Sequence, residues 1–328
     1  MKKKDIAKIL LAGAVLAVLF LARDSRASGS GFSLIFIPSN PEPGAKVTAR
    51  IETYDFDADR AFFTWEMDGA VLTKGTGEKS VSITSPELGK QKNIVVSVVT
   101  ADSTSAKRTF PIIGQDVDMF WEAGTYVPFW YKGKALPVEE SPIKIMAMPH
   151  LFSKGVEIKR TNLVYEWYVN FEKDLNKSGT GKNSFVFNPP IYDSEYTISV
   201  KVSSLDGGII FEKGTSFDLA ANSPKIIFYE SRPIEGVFSN NALNNETQLS
   251  SSEISVKAEP FFFSKRNLKN LKYEWTMNGE TISSDTEPGI ITLRTEGGSG
   301  AANIGLRISN PISILQFAEK FLQINYGQ

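Results

Sequence analysis

The sequence predicts an all-β protein: three tandem β-sandwiches following an N-terminal hydrophobic segment. Three observations carry that reading. A tryptophan-centred pattern occurs three times at near-domain spacing. Short β-branched runs alternate with turn residues throughout. No convincing amphipathic helix follows the first thirty residues; Gln316 to Ile324 imitates one, but its place in the repeat fits a last strand. The 328 residues are 22% charged and 41% hydrophobic, a composition that excludes wholesale disorder and a multi-span membrane protein. Cys is 0 and His is 1, which removes thiol nucleophiles, disulfides, Fe–S clusters and Cys/His zinc sites.

The repeat is built on Phe63-Thr64-Trp65, Tyr165-Glu166-Trp167 and Tyr273-Glu274-Trp275, with the tryptophans 102 and 108 residues apart. An aromatic two positions before a Trp puts both rings on one face of a strand, because strand side chains alternate. That makes Trp65, Trp167 and Trp275 candidate core anchors. Asp68-Gly69 and Asn278-Gly279 then supply the strongest short hairpin signal. The second copy lacks this glycine and inserts Phe171-Glu172-Lys173-Asp174, so a longer turn is expected there. Ile145, Pro149, Phe152, Ser153 and Lys154 recur 111 residues later as Val256, Pro260, Phe263, Ser264 and Lys265. Phe120-Trp121-Glu122 matches Phe228-Tyr229-Glu230 at a spacing of 108, which predicts that Phe120 and Trp121 fill the inter-sheet core.

Strand-like runs fall in corresponding places: Val47–Ile51, Ser80–Ile83 and Ile94–Val99 in the first copy; Phe185–Phe187 and Tyr196–Val202 in the second; Ile290–Leu293 and Ile304–Ile308 in the third. The expected units are residues 33–113, 114–220 and 221–328, with linkers near Gly114-Gln115-Asp116 and Ala220 to Pro224, arranged as an elongated rod.

An aromatic-x-Trp strand, a polar turn, an exposed hairpin and a Val/Ile-rich strand together resemble polycystic-kidney-disease (PKD) and related immunoglobulin-like modules of bacterial surface proteins. The approach Pro41-Glu42-Pro43-Gly44-Ala45-Lys46-Val47 is similar to their first-strand entry. The resemblance covers most of the chain after residue 33. It implies extracellular adhesion, spacing or protein contact, without catalysis.

The N-terminus reads as an export address. Met1-Lys2-Lys3-Lys4 is cationic, Ile9 to Ala22 is an unbroken run of 14 apolar or small residues, and Ser25-Arg26-Ala27 offers a cleavage site. Fourteen helical residues rise about 21 Å against roughly 30 Å of hydrocarbon, so residues 1–27 suit a signal peptide. Extension back to Ile6 with Lys8 snorkelling gives the alternative, a retained membrane anchor. Either way the body is expected to be exported. Residues 28–328 keep 30 basic and 35 acidic side chains, a net of −5, with no basic footprint for nucleic acid.

Candidate chemistry is sparse, and no cofactor is expected. Lys177 to Ser184 imitates a phosphate loop, but Asn176 stands where its first Gly belongs, Asn183 follows the Gly181-Lys182 pair, and a strand comes next. Asp55, Asp57 and Asp59 alternate as a calcium loop does, yet the sixth position is Arg60 rather than Gly; a solvated turn is the plainer reading, with calcium at this turn as the alternative. His150 has no nucleophile-elbow partner. Asn245-Glu246-Thr247 fits a glycosylation tripeptide. Phe129, Trp130 and Tyr131 have no counterparts in the other copies and form a candidate aromatic platform for a partner or a sugar. The expected function is a non-enzymatic envelope spacer or adhesion module contacting surface proteins, pilus or surface-layer components among them. The alternative is a carbohydrate-binding accessory that uses Trp130 and Tyr131.

Overall fold

A computed structural model describes residues 31–284 and 287–327; the candidate signal or anchor segment, residues 1–27, lies outside them. The first unit holds β1 (Ser33–Ile37), β2 (Lys46–Glu52), β3 (Phe62–Met67), β4 (Ala70–Thr76), β5 (Ser80–Thr84), β6 (Gln91–Val99) and β7 (Ser105–Ile113). They form two antiparallel sheets, β1-β2-β5 and β4-β3-β6-β7. In β2, β3 and β6 alternate side chains are buried, so Val47, Ala49, Phe63, Trp65, Ile94 and Val96 meet between the sheets.

The second unit repeats the order. It comprises β8 (Asp116–Ala123), β9 (Ile143–His150), a small hairpin of β10 (Phe152–Ser153) and β11 (Val156–Glu157), β12 (Leu163–Val169), β13 (Glu172–Thr180), β14 (Ser184–Phe187), β15 (Glu195–Ser204) and β16 (Ile210–Asp218). Its sheets are β8-β9-β14 and β13-β12-β15-β16.

The third unit contains β17 (Lys225–Arg232), β18 (Gly236–Ala242), β19 (Glu246–Gln248), β20 (Glu253–Phe261), β21 (Lys272–Met277), β22 (Glu280–Ile282), β23 (Ile290–Arg294), β24 (Gly300–Ser309) and β25 (Phe317–Tyr326). Here β17-β20-β23 and β22-β21-β24-β25 keep the common order. The inserted β18 and β19 extend one sheet each, β19 running parallel to β25. The common strand order, with a buried Trp on the third common strand, is that of an immunoglobulin-like sandwich. The described residues are therefore all-β and tandem, with short 3₁₀ turns at Arg160–Asn162 and Lys265–Asn270.

The three tryptophans are equivalent in detail. Each is buried, and each indole Nε1 donates to a backbone carbonyl at 2.8 Å: Trp65 to Glu78, Trp167 to Lys182, Trp275 to Pro288. The indole thus fills the core and ties the loop before the next strand of the opposite sheet to it. A second element recurs. The first residue of each hairpin turn accepts, through its side-chain Oδ1, the backbone N–H of Asn93, Thr197 or Asn303. Its own N–H donates to the carbonyl of that same residue. Asp68, Asn170 and Asn278 thereby pin the turn to the neighbouring strand.

Two sequence expectations are corrected. The second copy's turn is no longer than the others: Val169 pairs with Glu172, leaving the two residues Asn170 and Phe171, both at positive φ (47° and 69°). The extra residues are instead absorbed where pairing jumps from Trp167↔Asp174 to Tyr165↔Gly179. Asp174 Oδ1 accepts the N–H groups of Asn176 and Lys177, and Ser178 Oγ accepts the N–H of Trp167, which satisfies the bulged backbone. The second correction concerns Phe120 and Trp121. Trp121 pairs with Ile145 and Glu230 with Val256, so the true offset on this strand is 109, not 108. One residue of slip reverses the faces. Phe120 is half exposed on the outer face, while Trp121 packs only partly against the core, edge-on to Phe217 at 5.6 Å.

Candidate functional site: the joint between the second and third units

The connection from β8 to β9 is a 19-residue loop, residues 124–142, without secondary structure of its own; such long ordered loops in compact domains are characteristically functional. Its base is pinched: Gly124 N–H donates to the Pro142 carbonyl at 2.7 Å, and a Cβ on Gly124 would lie 2.5 Å from the Pro142 ring. Inside it, the buried Thr125 hydroxyl donates to the Leu136 carbonyl, and the Ser141 hydroxyl donates to that of Val138.

The loop then leaves its own unit and grips the third. Tyr126 N–H donates to the Phe263 carbonyl and Phe262 N–H to the Tyr126 carbonyl, both at 2.7 Å, while Lys265 N–H donates to the Gly124 carbonyl at 2.9 Å. These bonds flank the antiparallel bridge Thr125↔Ser264. Farther along, the Glu139 carbonyl accepts Gln316 Nε2 and the Glu140 carboxylate accepts Leu315 N–H. Val138, Tyr229, Phe261 and Phe262 form a buried cluster of their own outside the three sandwich cores. Burying four such side chains is worth on the order of 1.5–3 kcal/mol each before ordering costs.

This arrangement decides the fate of the aromatic platform. Trp130 meets Tyr229 edge-on at 6.0 Å, and Tyr131 meets Phe261 and Phe262 at 5.3 and 6.4 Å. Both rings belong to the joint, Tyr131 remaining partly open at its rim. Phe129 alone projects, 95% exposed. Their lack of counterparts was the readable signal: they sit in a connection that is eight residues in the first unit and carries β18 and β19 in the third.

Among the described residues, a buried carboxylate also lies in the joint. Glu259, 6% exposed, accepts the Tyr126 hydroxyl at 3.2 Å. Desolvation raises its pKa above the ordinary carboxylate value, against the opposing influence of Lys257 and the Tyr126 hydrogen bond. Burial and the Glu259 carboxylate push Tyr126 up to about 12. Nothing in the sequence marked Glu259, because β20 reads as an ordinary strand whose solvent face should hold it.

The first joint uses the same end of the following unit. Phe152 lies against Gly89, where an added Cβ would approach its ring to 3.0 Å, and Lys213 bridges Glu42 at 2.7 Å and Asp116 at 3.6 Å. Thus the duplicated Phe-Ser-Lys triplets, residues 152–154 and 263–265, stand at the two joints.

The remaining sequence candidates are scattered. His150 contacts Glu157 at 2.9 Å and Asp118 at 3.8 Å on an accessible strand end. Asp55 accepts the Gly31 N–H, Asp57 the Asp59 N–H, and Asp59 pairs with Lys79, which is a solvated turn using its carboxylates on itself. Among the described residues, no group of three or more His, Cys, Asp or Glu side chains is placed to hold a metal. Lys177 to Ser184 runs from the end of β13 into β14. Asn245 accepts the Lys320 ammonium.

No protein-family model and no curated protein matches the chain. Among solved structures it is similar to the fibronectin(III)-like modules of Clostridium thermocellum CbhA, at 11% identity over 57% of this chain and 92% of that one, with a TM-score of 0.28. The central fibronectin-III array of RIM-binding protein gives 12% identity, 91% and 96% coverage and a TM-score of 0.31. SGBP-B of the Bacteroides ovatus mixed-linkage glucan utilization locus, in complex with a mixed-linkage heptasaccharide, gives 14%, 95%, 69% and 0.25. Superpositions this loose add nothing to the strand order, which by itself defines the fold.

Proposed function

We propose that the chain is an exported, non-enzymatic scaffold of the cell envelope. Its sandwiches hold a fixed head-to-tail course and present loop and edge surfaces to other envelope proteins. The observation that supports this is the second joint: an inserted loop that hydrogen-bonds into the next sandwich and buries aromatic side chains there spends sequence on orientation rather than on a linker. The PKD-like character and the cell-surface location belong to the same proposal, as do pilus or surface-layer proteins as the partners. So does the N-terminal segment as a cleaved signal or retained anchor. Among the described residues, no helix is long and apolar enough to cross a membrane.

The chain has no cysteine, so paired cysteines can be introduced for spin labels without background. With labels at Ser199 in the second unit and Thr292 in the third, we expect a single narrow distance distribution. A distribution as broad as that of a flexible linker would remove the scaffold reading. The carbohydrate alternative rests on Trp130, which packs edge-on to Tyr229 in the joint, and on Tyr131, which stays partly open at its rim. Loss of retention on a glycan column in Trp130→Ala would favour it, and unchanged weak retention would remove it.

A further inference from the structure

We propose that the lateral opening of the second sandwich captures an extended peptide strand carrying Lys or Arg beside alternating apolar residues. The opening is a cleft of about 630 Å³ between the two edge strands β13 and β14. Its floor is apolar, made by Val169, Phe185, Phe187 and Tyr196. Edge strands present unpaired backbone groups, and proteins commonly blunt them with charge, bulges or proline. β13 is blunted by its bulge and by Lys173 and Lys177. β14, with the sequence Ser-Phe-Val-Phe, has no charge, no proline and no bulge, and Val186 stands partly open on it. An added strand supplies main-chain hydrogen bonds to such an edge, with alternate side chains entering the pocket.

Exposed apolar side chains next in sequence to the lining residues are the second observation. Phe171, Leu175, Ile191 and Tyr192 are 85%, 76%, 60% and 82% exposed, and each adjoins a residue that lines the cleft. Phe171 is the telling member. The same turn position is Gly69 at φ 86° in the first unit and Gly279 at φ 91° in the third, whereas here a phenylalanine holds φ 69°. A bulky residue in the left-handed region is strained, and a ring this exposed recovers almost none of that strain within the chain. The side chain therefore answers to something outside the molecule.

Charge selects the occupant. Glu172, Asp174 and Asp193 line the cleft against Lys173 and Lys177, and Lys173 is already taken by Glu166. The balance is acidic, which suits a basic strand, and the aliphatic Leu175 and Ile191 suit a peptide better than a sugar.

This deepens the scaffold reading by naming a docking site. Joint rigidity is measured independently, so either can fail alone. The test is selection of a displayed library of random twelve-residue peptides on the full chain, scored against the variant Phe171→Gly/Tyr192→Ser and against Val186→Pro. The expected result is at least tenfold enrichment on the wild type over both variants, with enriched peptides alternating apolar residues and carrying Lys or Arg. Equal recovery on wild type and variants, enrichment of acidic or proline-rich peptides, or displacement by an oligosaccharide would each overturn it. Circular dichroism melting checks that the variants are folded. If Val186→Pro unfolds, the Phe171→Gly/Tyr192→Ser variant carries the comparison.

Discussion

Phe171 and its two glycine equivalents allow a prediction free of packing changes. Phe171→Gly relieves left-handed strain while removing an exposed ring, so the second unit should gain about 1 kcal/mol in urea unfolding. A loss of stability would show that the ring packs in solution. Trp167→Ala should cost about 3–5 kcal/mol, with Trp167→Phe intermediate because the hydrogen bond to the Lys182 carbonyl is lost while most of the volume stays. Glu259 makes a pH prediction. Its folded pKa is raised, so the folded state holds the proton more tightly than the unfolded chain. Any stability linked to it is fully present below about 4.5 and falls as pH rises through the folded value. Glu259→Gln should therefore match the wild type at pH 4 and be the more stable protein at pH 7. Equal midpoints at both pH values would show that Glu259 is hydrated. The core tryptophans were legible because aromatic-x-Trp followed by a turn is a local signal. Glu259 was not, since its burial comes from a loop more than a hundred residues upstream.

At the scale of elements, the order of strands could be read from β-branched runs, and their faces only where the spacing was right. Phe120-Trp121 and Phe228-Tyr229 look like the same dipeptide, yet β8 and β17 differ by one residue in register, which is invisible without the pairing partner. The loop at residues 124–142 was visible as aromatics without counterparts but not as a clamp, because its partners Phe262 to Lys265 are distant in sequence. Gly124→Ala tests the clamp at its base. With Pro142 in the way of a Cβ, the loop should detach. The label distance distribution between the second and third units should then broaden while each sandwich keeps its own unfolding midpoint. An unchanged distribution would place the orienting contacts elsewhere.

For the whole molecule, the two joints differ in kind. The second is a buried hydrophobic cluster with backbone pairing, and the first rests on Phe152 over Gly89 with the Lys213 ion pairs. The Lys213 ammonium, hydrogen-bonded to Glu42, holds that carboxyl below the usual carboxylate range. The contact is therefore intact above about 4.5 and is lost as pH falls through the lowered value. Exposed ion pairs are also screened by salt. Raising NaCl to 1 M should broaden distances between the first and second units and leave those between the second and third unchanged. Equal responses at both joints would contradict the distinction.

The clamp also sets an order of events during synthesis. Residues 124–142 emerge well over a hundred residues before Phe261, Phe262 and Ser264, their receptors in the third sandwich. Until those arrive, Trp130, Tyr131 and Val138 stand bare on an otherwise finished second domain, an adhesive patch on a nascent chain. A protein stopped at residue 220 would keep that patch for good, and should self-associate where the longer chain stays monodisperse.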